Sequence, residues 1–187
     1  MPSLDQHMKK AVNLHQQGQH REAKRLYQEA LKAHPKHPAI HNLLGALLAE
    51  QERYQDAIQH FKKAVHYAAD PRPYFFNLGE AFCRNGQFAE GIAQFKKLEA
   101  TPQQSQAYYA IAKGYEQLQT FDHACAYYQR VIEDPTFDLH ADLYLHYGHC
   151  LQQLRRYRSA IALYEEGIRQ APPSAALHFA LAELLFA

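Results

Sequence analysis

Thirteen histidines are the most chemically suggestive feature of this 187-residue chain. His146 and His149 stand three apart with Cys150 beside them, a spacing at which one helix face can offer two metal ligands. No third ligand with a compatible spacing follows from the sequence, so no metal is expected and the pair reads as a solvated or groove-lining face. His34, His37 and His41 straddle a turn and read as polar surface. The ordinary pKa of imidazole would make binding by such a chain sensitive to pH between about 5 and 7. There is no phosphate-cradling glycine loop, HExxH or nucleophile elbow, and Cys150 has no activating partner beyond neighbouring imidazoles. An enzyme is therefore not expected, nor is a cofactor.

Charge and composition narrow the remaining classes. Arg155, Arg156 and Arg158 flank Tyr157, but a short basic turn on a chain of net charge +1 reads as a solvated edge, so no nucleic-acid partner is expected. Cys83, Cys125 and Cys150 are odd in number and far apart, which fits neither a disulfide framework nor a zinc knuckle, and reduced thiols are expected. No stretch approaches the ~18 apolar residues of a membrane span and the first residues lack a signal-peptide core. No membrane partner is expected, and the expected location is cytoplasmic.

The elements that must position these side chains are set by a repeat. A small residue recurs at Ala11, Gly45, Gly79, Ala112, Gly148 and Ala182, in steps of 34, 34, 33, 36 and 34. Twelve residues after each of the first five comes a second small residue, at Ala23, Ala57, Gly91, Ala124 and Ala160. Four further on comes a ring, at Tyr27, Phe61, Phe95, Tyr128 and Tyr164. Two antiparallel helices approach closely only where side chains shrink, and the ring fills the wedge against the next pair. Apolar spacings of three and four predict helices near 4–17, 20–33, 38–51, 54–68, 73–85, 88–100, 105–118, 121–133, 139–152, 157–170 and 174–186. Prolines 35, 38, 71, 73, 102, 135, 172 and 173 fall between repeats, where length changes are also confined.

This pattern resembles the tetratricopeptide repeat family, through Leu44, Gly45, Leu48, Ala57, Phe61 and Ala64, and again through Leu78, Gly79, Phe82, Gly86, Gly91 and Phe95. The resemblance covers about residues 4–187 and lacks the family's usual Trp. It implies an all-α, right-handed α-solenoid of about 11 helices in antiparallel pairs. One solenoid is expected over 1–187, with repeats at about 4–37, 38–71, 72–104, 105–140 and 141–174 and a half repeat at 175–187. It further implies that first helices line a concave groove that holds a peptide or helix from a protein partner.

Carried onto this chain, that geometry makes the candidate groove residues Asn42, Phe76, Asn77, Glu80, Tyr109, Lys113, Leu145 and His149, flanked by a column of His15, Ala49, Cys83, Glu116 and Gln152. The competing reading has the rings packing between neighbouring first helices and Glu80 pairing with Lys113. The second repeat, with Asn42, Ala46 and Ala49, is expected to be quiet, and contact is expected at the third and fourth. The carboxylate clamp of heat-shock cochaperones is not expected: Asn77 fits its middle role, but Asn42 with Ala46 and Gln106 with Ala110 leave its cationic arms missing. The segments Asn42-Leu43-Leu44-Gly45 and Asn77-Leu78-Gly79 are also similar to the repeat arm of O-linked N-acetylglucosamine transferases, although only Asn77 sits in the register of their asparagine ladder, and the first two repeats are similar to bacterial proteins that carry such repeats ahead of a glycosyltransferase domain. The expected function is a non-enzymatic interaction scaffold. The alternatives are an N-terminal arm of a larger enzyme such as a glycosyltransferase, or a module that self-associates through the apolar C-terminal helix of Leu177, Leu181, Leu184, Leu185 and Phe186.

Overall fold

A computed structural model describes residues 3–99 and 101–186. Among them are eleven α-helices: α1 (Leu4–Gln16), α2 (His20–Ala33), α3 (Pro38–Glu50), α4 (Tyr54–Tyr67), α5 (Arg72–Arg84), α6 (Phe88–Phe95), α7 (Gln104–Gln117), α8 (Phe121–Ile132), α9 (Ala141–Gln153), α10 (Tyr157–Gln170) and α11 (Ala175–Phe186). The chain forms two compact units, Met1–Lys97 and Leu98–Ala187. The first unit holds α1–α6 and a core of Leu26, Tyr27, Ile40, Leu44, Ile58 and Phe61. The second holds α7–α11 and a core of Tyr128, Leu143, Tyr144, Leu151, Tyr164 and Leu177.

Each helix pair is closed by one recurrent device. Seven residues past the small residue the backbone turns left-handed, at Gly18, Glu52, Gly86, Gln119 and Arg155, with φ between 56° and 78°. The next amide then bonds back to the carbonyl five residues earlier, as in Gln19 to Leu14, Arg53 to Leu48, Gln87 to Phe82, Thr120 to Tyr115 and Arg156 to Leu151. These are Schellman closures, which satisfy helix-end carbonyls and reverse the chain within a few residues. Glycine takes that conformation without a Cβ penalty, and three repeats close without it.

The small residues act as the spacing implied. A Cβ on Gly45 would stand 2.8 Å from the Phe61 ring, one on Gly79 2.6 Å from Phe95, and one on Gly148 2.2 Å from Tyr164. The rings they admit are almost wholly buried, each side chain contributing about 1.5–3 kcal/mol. The expected helix over 88–100 is shorter than its spacing suggests. It ends at Phe95 and tightens into a 3₁₀ turn over Lys96–Leu98, in which Leu98 is buried. This is the repeat that is one residue short, and a 3₁₀ turn advances farther per residue than an α-turn. The part of that expected helix at Ala100 lies outside the described residues. In the second unit, α9 starts at Ala141 because His140 caps it, its Nδ1 accepting from the Leu143 amide at 3.1 Å. No helix among the described residues is long and apolar enough to cross a membrane.

Candidate functional site

In the first unit the candidate residues lie on the first helices α3 and α5. Asn77 donates through Nδ2 to Asn42 Oδ1 at 2.9 Å, so the two amides tie these helices together although they differ by one position in repeat register. Phe76 is half-buried, with its ring 5.3 Å from that of Phe95. Asn77 and Glu80 line an open cleft of about 420 Å³, floored by Ala46, Ala49, Phe61 and Ala81 and rimmed by Glu50, Glu52 and Arg84. The small side chains of the second repeat, expected to be quiet, are what make this space.

In the second unit Tyr109 packs within an aromatic cluster, 5.3 Å from His140, 5.9 Å from Phe137 and 6.0 Å from Tyr128. Lys113 Nζ sits 5.6 Å from the centre of the Tyr109 ring, a cation–π distance. Burial, with Asp142 and Glu116 nearby, pushes the Tyr109 hydroxyl up to about 12. Leu145 is half-buried against the core. His149 lies beside Glu116, a carboxylate only 9% exposed, with Nδ1 at 3.0 Å from Oε1. His146 Nδ1 approaches Oε2 of the same group at 3.0 Å, and the Tyr128 hydroxyl donates to Oε2 at 2.8 Å. Burial raises the Glu116 pKa, but the bonds from His146, Tyr128 and His149 outweigh it and hold the carboxyl below its ordinary range. Cys150, the third member of the sequence cluster, is buried, and its hydrogen bond with Cys125 followed by burial pushes its thiol far up. Of the basic turn, Arg156 donates to Asp122 at 2.8 Å.

The column of His15, Ala49, Cys83, Glu116 and Gln152 has a role that reading it as a groove edge missed. Wherever the ring of the same repeat is tyrosine, this position bonds its hydroxyl: His15 Nδ1 to Tyr27 at 3.3 Å, Glu116 to Tyr128 at 2.8 Å, and Gln152 Nε2 to Tyr164 at 2.8 Å. Where the ring is Phe61 or Phe95, the position is Ala49 or Cys83. A buried hydroxyl needs a partner, and a phenyl ring does not. The signal was present in the sequence as paired variation of two columns at a constant separation of twelve residues.

One histidine departs from the surface expectation. His41 is 4% exposed, bonding Pro35 O through Nε2 at 2.9 Å and His60 Nδ1 through Nδ1 at 3.1 Å. Since Nε2–H donates to the carbonyl, Nδ1 of the neutral ring accepts, and His60 Nδ1–H is the donor. Burial, followed by the charges of His41 and Lys63, depresses the His60 pKa to about 4, and burial lowers that of His41.

Tetratricopeptide repeat profiles match residues 8–73, 105–133 and 141–184. Among solved structures, MamA is similar at 21% identity and a TM-score of 0.80, over 89% of this chain and 91% of that one. YrrB, described as a TPR protein with an unusual peptide-binding site, is similar at 18% identity and a TM-score of 0.80, over 97% of this chain and 91% of that one. The pilF protein of Pseudomonas aeruginosa is similar at 16% identity and a TM-score of 0.78, over 98% and 83%. At these identities the likeness is one of fold.

Proposed function

Because the chain belongs to the tetratricopeptide repeat family, we propose that it is a non-enzymatic protein-interaction scaffold that holds a peptide or helix of a partner against its first helices. The observation that carries this reading is the open cleft between α3 and α5, where alanines leave room and Asn77 and Glu80 offer amide and carboxylate contacts. Its rim carries Glu50 and Glu52 against Arg84, so with Glu80 the lining is net acidic and favours a partner segment bearing Lys or Arg. The peptide-binding site described for YrrB supports the same use of this fold. In the second unit Tyr109, Lys113, Leu145 and His149 offer a face of rings and charges suited to side-chain contact.

The test is equilibrium binding of a partner segment to wild type, Ala49→Leu, and a Phe76→Ala/Tyr109→Ala variant. Leucine at 49 fills the cleft from a half-buried position and should weaken binding at least tenfold without lowering the unfolding midpoint. Undiminished binding by Ala49→Leu retires the cleft.

A second reading is favoured by α11, which exposes Phe179 at 65%, Leu185 at 58% and Phe186 at 92%. Apolar surface of this kind supports self-association. Sedimentation should then show mass rising with concentration, and Phe179→Glu should abolish the rise; a constant monomer mass in wild type removes this reading.

A further inference from the structure

We propose that His15, His20 and Glu50 form a binding site for a divalent transition-metal ion of the zinc class, within the first unit. The three come from the end of α1, the start of α2 and the end of α3, and their ligand atoms all lie within 4.8 Å of one another. His15 Nε2 is 2.9 Å from Glu50 Oε2 and His20 Nε2 is 3.7 Å from the same oxygen. Ligands about 2.0–2.1 Å from a tetrahedral ion stand roughly 3.3 Å apart, midway between these separations. Two imidazoles and one carboxylate are a donor set that suits zinc, leaving a fourth position for water or a partner group.

The outer contacts favour this use. His15 Nδ1 is 3.3 Å from the Tyr27 hydroxyl, so with a metal on Nε2 the proton sits on Nδ1 and is donated to the phenol oxygen. His15 is held with its side chain only 11% exposed, whereas His20 at 33% and Glu50 at 54% keep a path open to solvent. The Glu116 cluster of the second unit is less suited. Its carboxylate is engaged by three hydrogen bonds, and its nearby thiol is held protonated by Cys125 and burial.

The experiment is titration of the metal-stripped chain with zinc, and with cobalt as a visible reporter, at about pH 7.5 where imidazole is neutral. One equivalent of zinc should bind, cobalt should give the intense visible absorption of tetrahedral coordination, and zinc should raise the melting temperature. His20→Ala and Glu50→Gln, neither in the core, should each weaken binding at least tenfold and remove the cobalt spectrum. His149→Ala should leave uptake unchanged. The proposal is overturned if wild type takes up no stoichiometric metal, or if uptake survives in His20→Ala and Glu50→Gln.

Discussion

The second repeat in the first unit and the fourth in the second unit place small residues at the same repeat positions, Gly45 with Ala57 and Ala112 with Ala124, and share the same left-handed closure, yet their inner faces are opposite in character. In the second repeat the ring is Phe61, the position facing it is Ala49, and an open cleft results. In the fourth the ring is Tyr128, the position facing it is Glu116, and that carboxylate gathers His146 and His149 from the next repeat. One hydroxyl separates the two cases. A buried phenol requires a polar partner, the partner fills the space an alanine leaves open, and a carboxylate there recruits imidazoles in turn.

The largest effect comes from closing the helix approach that these two repeats share with the fifth. Gly148→Ala sets a Cβ 2.2 Å from the Tyr164 ring and should cost about 3 kcal/mol, seen as a lower midpoint in urea unfolding of the second unit. Ala112→Gly, the reverse change in the sister repeat, should cost only about 1 kcal/mol through the helix backbone. Equal effects would mean that the Tyr164 ring yields and that the small residue does not set the helix separation.

A smaller effect tests the hydroxyl directly. Glu116→Ala leaves the Tyr128 hydroxyl buried without its partner and should cost about 2 kcal/mol, and Tyr128→Phe about 1 kcal/mol. The double variant transplants the Ala49 and Phe61 pairing into the fourth repeat, so its loss should fall below the sum of the two. Strict additivity in a double-mutant cycle would show that the two positions are independent.

The smallest effect separates the units by pH. His60 has a folded pKa of about 4, below its ordinary 6.5, so the unfolded chain binds more protons between those values. The stability from the neutral His41 and His60 pair is therefore complete above about 6.5 and is lost as pH falls toward about 4, in surroundings that include Lys24, Asp56 and Lys63. Glu116 is shifted below its ordinary 4.5, so its contribution persists to lower pH and is lost only below that value. Urea midpoints followed from neutral to acid pH should show the first unit weakening before the second, and His60→Gln should flatten the earlier decline. A first unit insensitive to pH above 4.5 would contradict the buried imidazole pair.

Much of the fold was legible because the repeat fixes which face of each helix is small, ringed or polar. Tyr27, Phe61, Phe95, Tyr128 and Tyr164 all occupy the buried places that their spacing implied. The candidate cleft was legible in part. Asn77 and Glu80 do line a cleft, but Ala46 and Ala49 make it, and a search for chemically active side chains passes over alanines. His41 is buried although its place beside a turn suggests surface, and the carbonyl of Pro35 and the ring of His60 make that burial tolerable.

The sequence by itself determined the helices, their pairing and the twelve-residue coupling between a ring and its hydroxyl partner, because contacts inside one repeat follow from period and side-chain direction. Tertiary structure alone decided the meetings between repeats: Asn42 with Asn77, Glu116 with His146 and His149, and His15 and His20 with Glu50. Periodicity sets which face a residue occupies but not how far one helix is offset along its neighbour. That offset selects which of two adjacent positions come within bonding distance.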